Sequence, residues 1–178
     1  IFKKDLRAVC DSMSFSSIDS LIRLHKDPVV WSNENQMTAD FINIGLKNKK
    51  IDKLYLYNNS FLISQEDTIR FNQVKGKNMT GYFANNEIYK IKVEGNGQTI
   101  YYGRNSKKEL IGVNRADCSD IWIYIKESKV QSITLINKPD ATFYPIEELS
   151  PKELLLKNFK WQIKRRPEKK EDIFVKDL

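Results

Sequence analysis

Residues 18–21 read Ile-Asp-Ser-Leu and residues 51–54 read Ile-Asp-Lys-Leu, and each opens a stretch of alternating apolar positions that runs into a polar turn. Period-two alternation puts successive side chains on opposite faces of an extended chain, so it specifies half-buried strands. The pattern recurs further along. Ile22 and Leu24 precede Lys26-Asp27-Pro28, and Leu54 and Leu56 precede Asn58-Asn59. Ile91 and Val93 precede Gly95-Asn96-Gly97, and Ile133 and Leu135 precede Asn137-Lys138-Pro139. Every aliphatic pair thus ends at residues that favour turns. Ile22 and Leu24 align with Leu54 and Leu56 only after a one-residue slip, which predicts a β-bulge over residues 22–24.

A second element precedes each of these pairs. It is a small residue followed by apolar residues three and five positions on: Cys10 with Met13 and Phe15, Ala39 with Ile42 and Ile44, Cys118 with Ile121 and Ile123. Met79-Thr-Gly81-Tyr-Phe83 is a looser version. The links Ser16-Ser17, Lys47 to Lys50, Asn85-Asn86 and Lys126 to Lys129 are of hairpin size. One such unit, about 30–40 residues long, cannot bury its apolar face alone, whereas stacked units can. Residues 1–146 therefore predict an all-β domain, an open two-sheet sandwich or roll of repeated antiparallel strand pairs with one apolar face inward. Residues 147–178 form the second part: Ser150-Pro151 reads as an N-cap and first helical position before Leu154-Leu155-Leu156, predicting a short helix, and a basic tail follows.

Catalytic chemistry finds little support. Asp19 and Asp52 hold equivalent repeat positions, one unit apart along a stack instead of across a cleft, so they do not make an acid–base pair. His25 has no nucleophile motif beside it. The lone histidine and two distant cysteines, Cys10 and Cys118, exclude a Cys/His zinc cluster and a CxxC redox pair. Both cysteines stand at the small-residue position, where close packing explains them. Glu94-Gly-Asn-Gly97 is followed by the strand-like Gln98-Thr-Ile-Tyr-Tyr102, so it reads as a tight turn and not a phosphate loop. The expectation is a protein that is not an enzyme and uses no metal or cofactor.

The net charge is +7, but residues 151–178 contribute 9 Lys/Arg against 5 Asp/Glu. The charge is therefore not spread over a strand face, as nucleic-acid binding would need. Lys160, Lys164, Arg165 and Arg166 interleave with Phe159 and Trp161, a pattern able to meet anionic headgroups; the plainer reading is a terminal peptide packed on the sheet. No apolar run is long enough for a transmembrane helix. The chain begins at Ile1 in strand-like sequence without a signal-like segment, so any targeting peptide is expected to lie outside it. What remains is the apolar stripe of Ile22, Leu24, Ile42, Ile44, Leu54 and Leu56, continued by Ile91, Val93, Ile121, Ile123, Ile133 and Leu135. It is a core, or in part an elongated groove for acyl chains, which gain about 0.8 kcal/mol per buried methylene.

Two stretches, Pro28-Val-Val-Trp-Ser-Asn-Glu-Asn-Gln-Met-Thr-Ala-Asp40 and Ile51-Asp-Lys-Leu-Tyr-Leu-Tyr-Asn-Asn59, resemble the OstA repeat of organic-solvent-tolerance and LptA-type lipopolysaccharide-transport proteins of Gram-negative bacteria. Phe71-Asn-Gln-Val-Lys-Gly-Lys-Asn-Met-Thr80, Lys138-Pro-Asp-Ala-Thr-Phe-Tyr-Pro145 and Phe159-Lys-Trp161 resemble divergent OstA-like members. Asn58-Asn59-Ser60 and Lys26-Asp27-Pro28 stand where the family often has Gly-Asn. The resemblance implies a β-taco or β-jellyroll, a periplasmic location, lipopolysaccharide or another acylated lipid on the inward stripe, and no catalysis. It also implies partners of the same fold stacked by their edge strands, a second copy of this chain among the options, and no nucleic acid. A module that pairs edge to edge through Ile1–Phe2 and Ala141–Tyr144 without holding lipid is the alternative.

Overall fold

The computed structural model describes residues 1–3, 6–127 and 129–174. Among the described residues twelve strands follow one another: β1 (Leu6–Val9), β2 (Ser12–Ser16), β3 (Leu21–His25), β4 (Val29–Ser32), β5 (Asn35–Thr38) and β6 (Phe41–Lys47). Then come the long β7 (Lys50–Gln65), β8 (Phe71–Ala84), β9 (Glu87–Arg104) and β10 (Leu110–Lys126), and finally β11 (Lys129–Ile136) and β12 (Asp140–Tyr144). All pairings are antiparallel. They join β2, β3, β6 and β11 to one half of the long strands, and β1, β4, β5 and β12 to the other half.

The result is one sheet creased into two leaves that face each other. Leu6, Ala8, Val30, Met37, Leu62 and Val74 of the second leaf share one buried cluster with Leu24, Ile42, Leu56, Val93 and Ile121 of the first. The crease is written in the backbone. At Lys26-Asp27, Asn58-Asn59, Gly95-Asn96 and Asn137-Lys138, two consecutive residues take the left-handed conformation, with φ between 49° and 77°. These are the four polar clusters that end the aliphatic pairs in the sequence. They turn the chain from the first leaf into the second, and asparagine and glycine lower the steric cost of doing so. Alternate strands cross the crease at Cys10-Asp11, Ala39-Asp40, Gly76-Lys77 and Cys118-Ser119. There the amides of Asp11, Asp40 and Ser119 donate to the carbonyls of Lys26, Asn58 and Asn137 at 3.1–3.2 Å.

The small residues therefore sit at the crease. The third of them is Gly76, three positions before Met79, so the looser version of the motif keeps its first apolar spacing from there, with Gly81 in place of the second apolar residue. A Cβ at Gly76 would lie 2.3 Å from Cγ1 of the fully buried Val93. Two-residue hairpins at Asn48-Lys49 and Asn85-Asn86, with both φ positive, join β6 to β7 and β8 to β9.

Two local expectations are corrected. Residues 22–24 carry no bulge: Ile22 and Leu24 pair without a break with Phe15 and Met13 on one side and Ile44 and Ile42 on the other. The slip is taken up by the turn before Leu21 and by a register shift between Gly45 and Leu46. The expected helix at residues 150–156 is replaced by turns, with 3₁₀ segments at Ile146–Glu148, Ile163–Arg165 and Lys170–Phe174. Its capping contact does form, since the Ser150 amide and hydroxyl both donate to Glu153 Oε2 at 2.9 and 2.7 Å. An α-helix does not continue because the Leu154 carbonyl and the Leu156 amide are bonded to the sheet instead. The last four positions of the expected tail, 175–178, lie outside the described residues, as does Ser128 in the final hairpin link.

Replacing Gly76 with alanine should destabilise the protein by roughly 1–3 kcal/mol, the range for overpacking a full core. Urea denaturation of Gly76→Ala, Val93→Ala and the double variant would check this. A favourable coupling in the double variant is expected, because the missing Val93 methyls make room for the new Cβ.

Candidate functional site

All twelve stripe residues fall into two continuous rungs across the first leaf. One runs Phe15, Ile22, Ile44, Leu54, Gly81, Ile91, Ile123, Ile133 through successive strand pairings. Beside it run Met13, Leu24, Ile42, Leu56, Met79, Val93, Ile121 and Leu135. Residues directly opposite in a ladder point to the same side, so each rung presents one apolar line to the facing leaf.

Accessibility divides each rung into a closed middle and open ends. The nine stripe residues from Leu24 to Ile123 are 0–2% exposed, which makes the middle a filled core. Ile22, Ile133 and Leu135 are only half-buried, and Met13 and Phe15 are 56% and 59% exposed although they point inward. The reason is positional: β2 and β11 are edge strands with a neighbour on one side only. At the β11 end the leaves part to leave a recess of about 380 Å³. Val130, Ile133 and Leu135 line it from the first leaf, and Thr99, Tyr101 and Asn114 line it from the second. Burial, with the charge of Glu66 adding to it, raises the Tyr101 phenol above its ordinary value. Phe143 of β12, half exposed, lies over Gly103 and Gly112 at the rim.

Tyr101, Thr99 and Asn114 were not singled out in the sequence. They belong to strands whose alternation was legible, but only the pairing of β9 with β10 and β10 with β12 puts them opposite β11.

The basic terminal residues lie elsewhere. Residues 153–167 cross the outer face of the second leaf, and one row of that face holds their backbone. Arg115 donates to the Glu153 carbonyl at 2.8 Å, and Arg7 donates to the Pro167 carbonyl at 2.9 Å. Between them two buried glutamines each clamp a stretch of the strap. Gln73 donates to the Leu154 carbonyl and accepts from the Leu156 amide at 2.9 and 2.8 Å. Gln36 does the same with Lys160 and Gln162, both at 2.7 Å. Below the strap, Phe159 and Trp161 pack on Phe71, with ring centroids 5.2 Å apart in each case. Arg165 is paired with Asp27 at 2.6 Å and Arg166 with Glu34 at 3.4 Å, while Lys160 and Lys164 are exposed. The four cations are thus on the back of the second leaf, away from the apolar rungs.

The residues weighed for chemistry are dispersed. Asp19 caps the Leu21 amide and pairs with Arg23, which holds its carboxyl below the usual carboxylate range. Asp52 lies within β7, so the two aspartates are not structurally equivalent. Cys10 and Cys118 are unpaired and donate to the carbonyls two residues on, at 3.2 and 3.3 Å; burial raises both thiols. Among the described residues no group of three or more His, Cys, Asp and Glu side chains could hold a metal ion.

No protein-family model matches the chain, and no curated protein matches it. Among solved structures, the crystal structure of LptH from Pseudomonas aeruginosa superposes on it with a TM-score of 0.59 at 12% sequence identity. The match covers 79% of this chain and 95% of that one. LptH is described as the LptA-homologous periplasmic component of the conserved lipopolysaccharide transport device. The fold of this protein is therefore the LptA-type β-jellyroll, and in this chain a strap crosses the outside of one leaf.

Removing a glutamine clamp leaves a largely part-buried strap carbonyl and amide unpaired, which costs about 1–3 kcal/mol. Gln36→Leu and Gln73→Leu should each lower the urea midpoint and speed proteolysis within residues 153–167, before the sheet is cut.

Proposed function

We propose that this protein is a non-catalytic scaffold that shelters acyl chains of lipopolysaccharide, or of another acylated lipid, between its leaves. In this reading it works in the periplasm and hands lipid along a stack of partners with the same fold. One observation carries it: the apolar rungs run the length of the first leaf and open to solvent at both ends. Exposed inward-facing side chains such as Met13 and Phe15 lose the roughly 25 cal/mol per Å² that burial would bring, until a neighbour or a lipid covers them. Taking about 30 Å³ for a water-sized group, the recess at β11 holds on the order of a dozen methylenes. That is part of one acyl chain, so the rest of the path must come from a stacked neighbour or from parting of the leaves. The LptA-type fold supports this reading.

A photo-crosslinking residue placed at Ile133 or Leu135 should give lipopolysaccharide adducts in cell envelopes, and one placed at the closed Leu56 should not. No adduct at either open position, where an established carrier crosslinks, would end the lipid reading.

A second reading is favoured by the filled middle of the rungs: a structural module that assembles edge to edge and holds no lipid. Its docking edges would be β2 at one end and β11 and β12 at the other, each paired on one side only. Ile1–Phe2 is less available than the sequence suggested, because it folds back on β1 through the Ala8 amide and the Phe2–Arg7 bridge. Neighbouring amides of β12 point to opposite sides, so proline at Thr142 or at Phe143 removes an outward donor in one case only. Sedimentation velocity should then show assembly lost in that variant alone; assembly that survives both substitutions would count against β12 as the docking edge.

A further inference from the structure

The two outer faces of the molecule differ. The strap covers the second leaf, while the outer face of the first is bare and rich in rings. Across it, Lys53, Tyr82, Lys90 and Tyr124 form one row through β7 to β10. Tyr55, Lys92 and Trp122 belong to the row beside it. The cations lie against the rings. Lys90 Nζ is 4.8 Å from the Tyr82 centroid and 4.5 Å from that of Trp122, and Lys53 Nζ is 5.6 Å from Tyr82 on its other side. Tyr82 and Trp122 are themselves 6.3 Å apart. Lys92 is committed to Glu94 at 2.7 Å, but among the described residues Lys53 and Lys90 have no carboxylate partner.

We propose that this face binds an acidic saccharide chain. The flat rings offer faces on which the C–H side of a sugar can pack, and Lys53 and Lys90 meet its carboxylates or phosphates. Thr80 and Thr134 lie in the Tyr55, Lys92 and Trp122 row and add hydroxyls to it. Charge selects this class. The next row carries Glu94 and Asp120, paired across β9 and β10, so a nucleic acid or an anionic bilayer would bring phosphates against carboxylates. A saccharide with sparse acids can set them over the two unpaired lysines alone. The face points away from the lipid-facing rungs, so either proposal can fail without the other.

Affinity electrophoresis of the full chain in gels containing hyaluronate, which carries one carboxylate per disaccharide, with neutral dextran as the reference, tests this. Retardation by hyaluronate alone is expected, weakened roughly tenfold by Tyr82→Ala or Lys90→Ala, equivalent to about 1.4 kcal/mol. Trp122→Phe, which keeps a ring, should retain binding. Lys164→Ala, which removes the same charge from the strap side, should leave it unchanged, as thermal melts would confirm for folding. The proposal is overturned by no retardation, by equal retardation in dextran, or by equal weakening in Lys164→Ala. Tighter binding to oligothymidylate or to phosphatidylglycerol vesicles at the same salt overturns it too.

Discussion

Everything in this molecule depends on the crease. Four pairs of consecutive left-handed residues, and four opposed crossings through small side chains, let one antiparallel sheet fold back on itself. Without the crease each leaf would carry an uncovered line of isoleucine and leucine. With it, the two inner faces supply each other's burial, and strands of 14 to 18 residues serve both leaves at once. Gly76 shows how tight the fit is, since Val93 occupies the space its Cβ would need. The asparagines at the crease carry a conformational cost that hydrophobic contact between the leaves offsets.

The crease also determines where function can sit. A sheet folded this way is closed along the fold but not at its ends, because the terminal strands have no partner beyond them. The same chemistry therefore plays two parts along a single rung: Leu56 is core, while Leu135, in register with it, lines a recess. In the proposed reading the open ends are where lipid or a neighbouring β-protein meets the rungs, and they expose apolar interior side chains such as Met13, Phe15 and Leu135.

The outer faces follow a different logic. One is covered by a strap whose course is set by hydrogen bonds from a single row of side chains, Arg115, Gln73, Gln36 and Arg7, each reaching a strap carbonyl. The terminal cations belong to that strap, and two of them are neutralised by Asp27 and Glu34. The other face carries its lysines on rings and remains open.

Much of this was legible in the residues. Alternation defined the strands, the aliphatic pairs defined the rungs in their true register, and the turn-forming clusters marked the crease, although they read as ordinary turns. The OstA-like resemblance pointed to the right fold. What local sequence could not decide is which strands are edges, and so which members of one rung are buried and which are open. Nor could it place Tyr101 opposite Ile133. Packing of Phe159 and Trp161 back on the sheet was the plainer reading of the terminal peptide, but its course over the outer face, with turns where residues 150–156 favoured a helix, was not legible. Alternation and turn chemistry act over a few neighbouring residues and are settled by the chain itself. Exposure, the recess and the strap depend on contacts between residues up to 160 positions apart, as Arg7 and Pro167 are, and only the folded sheet brings those together.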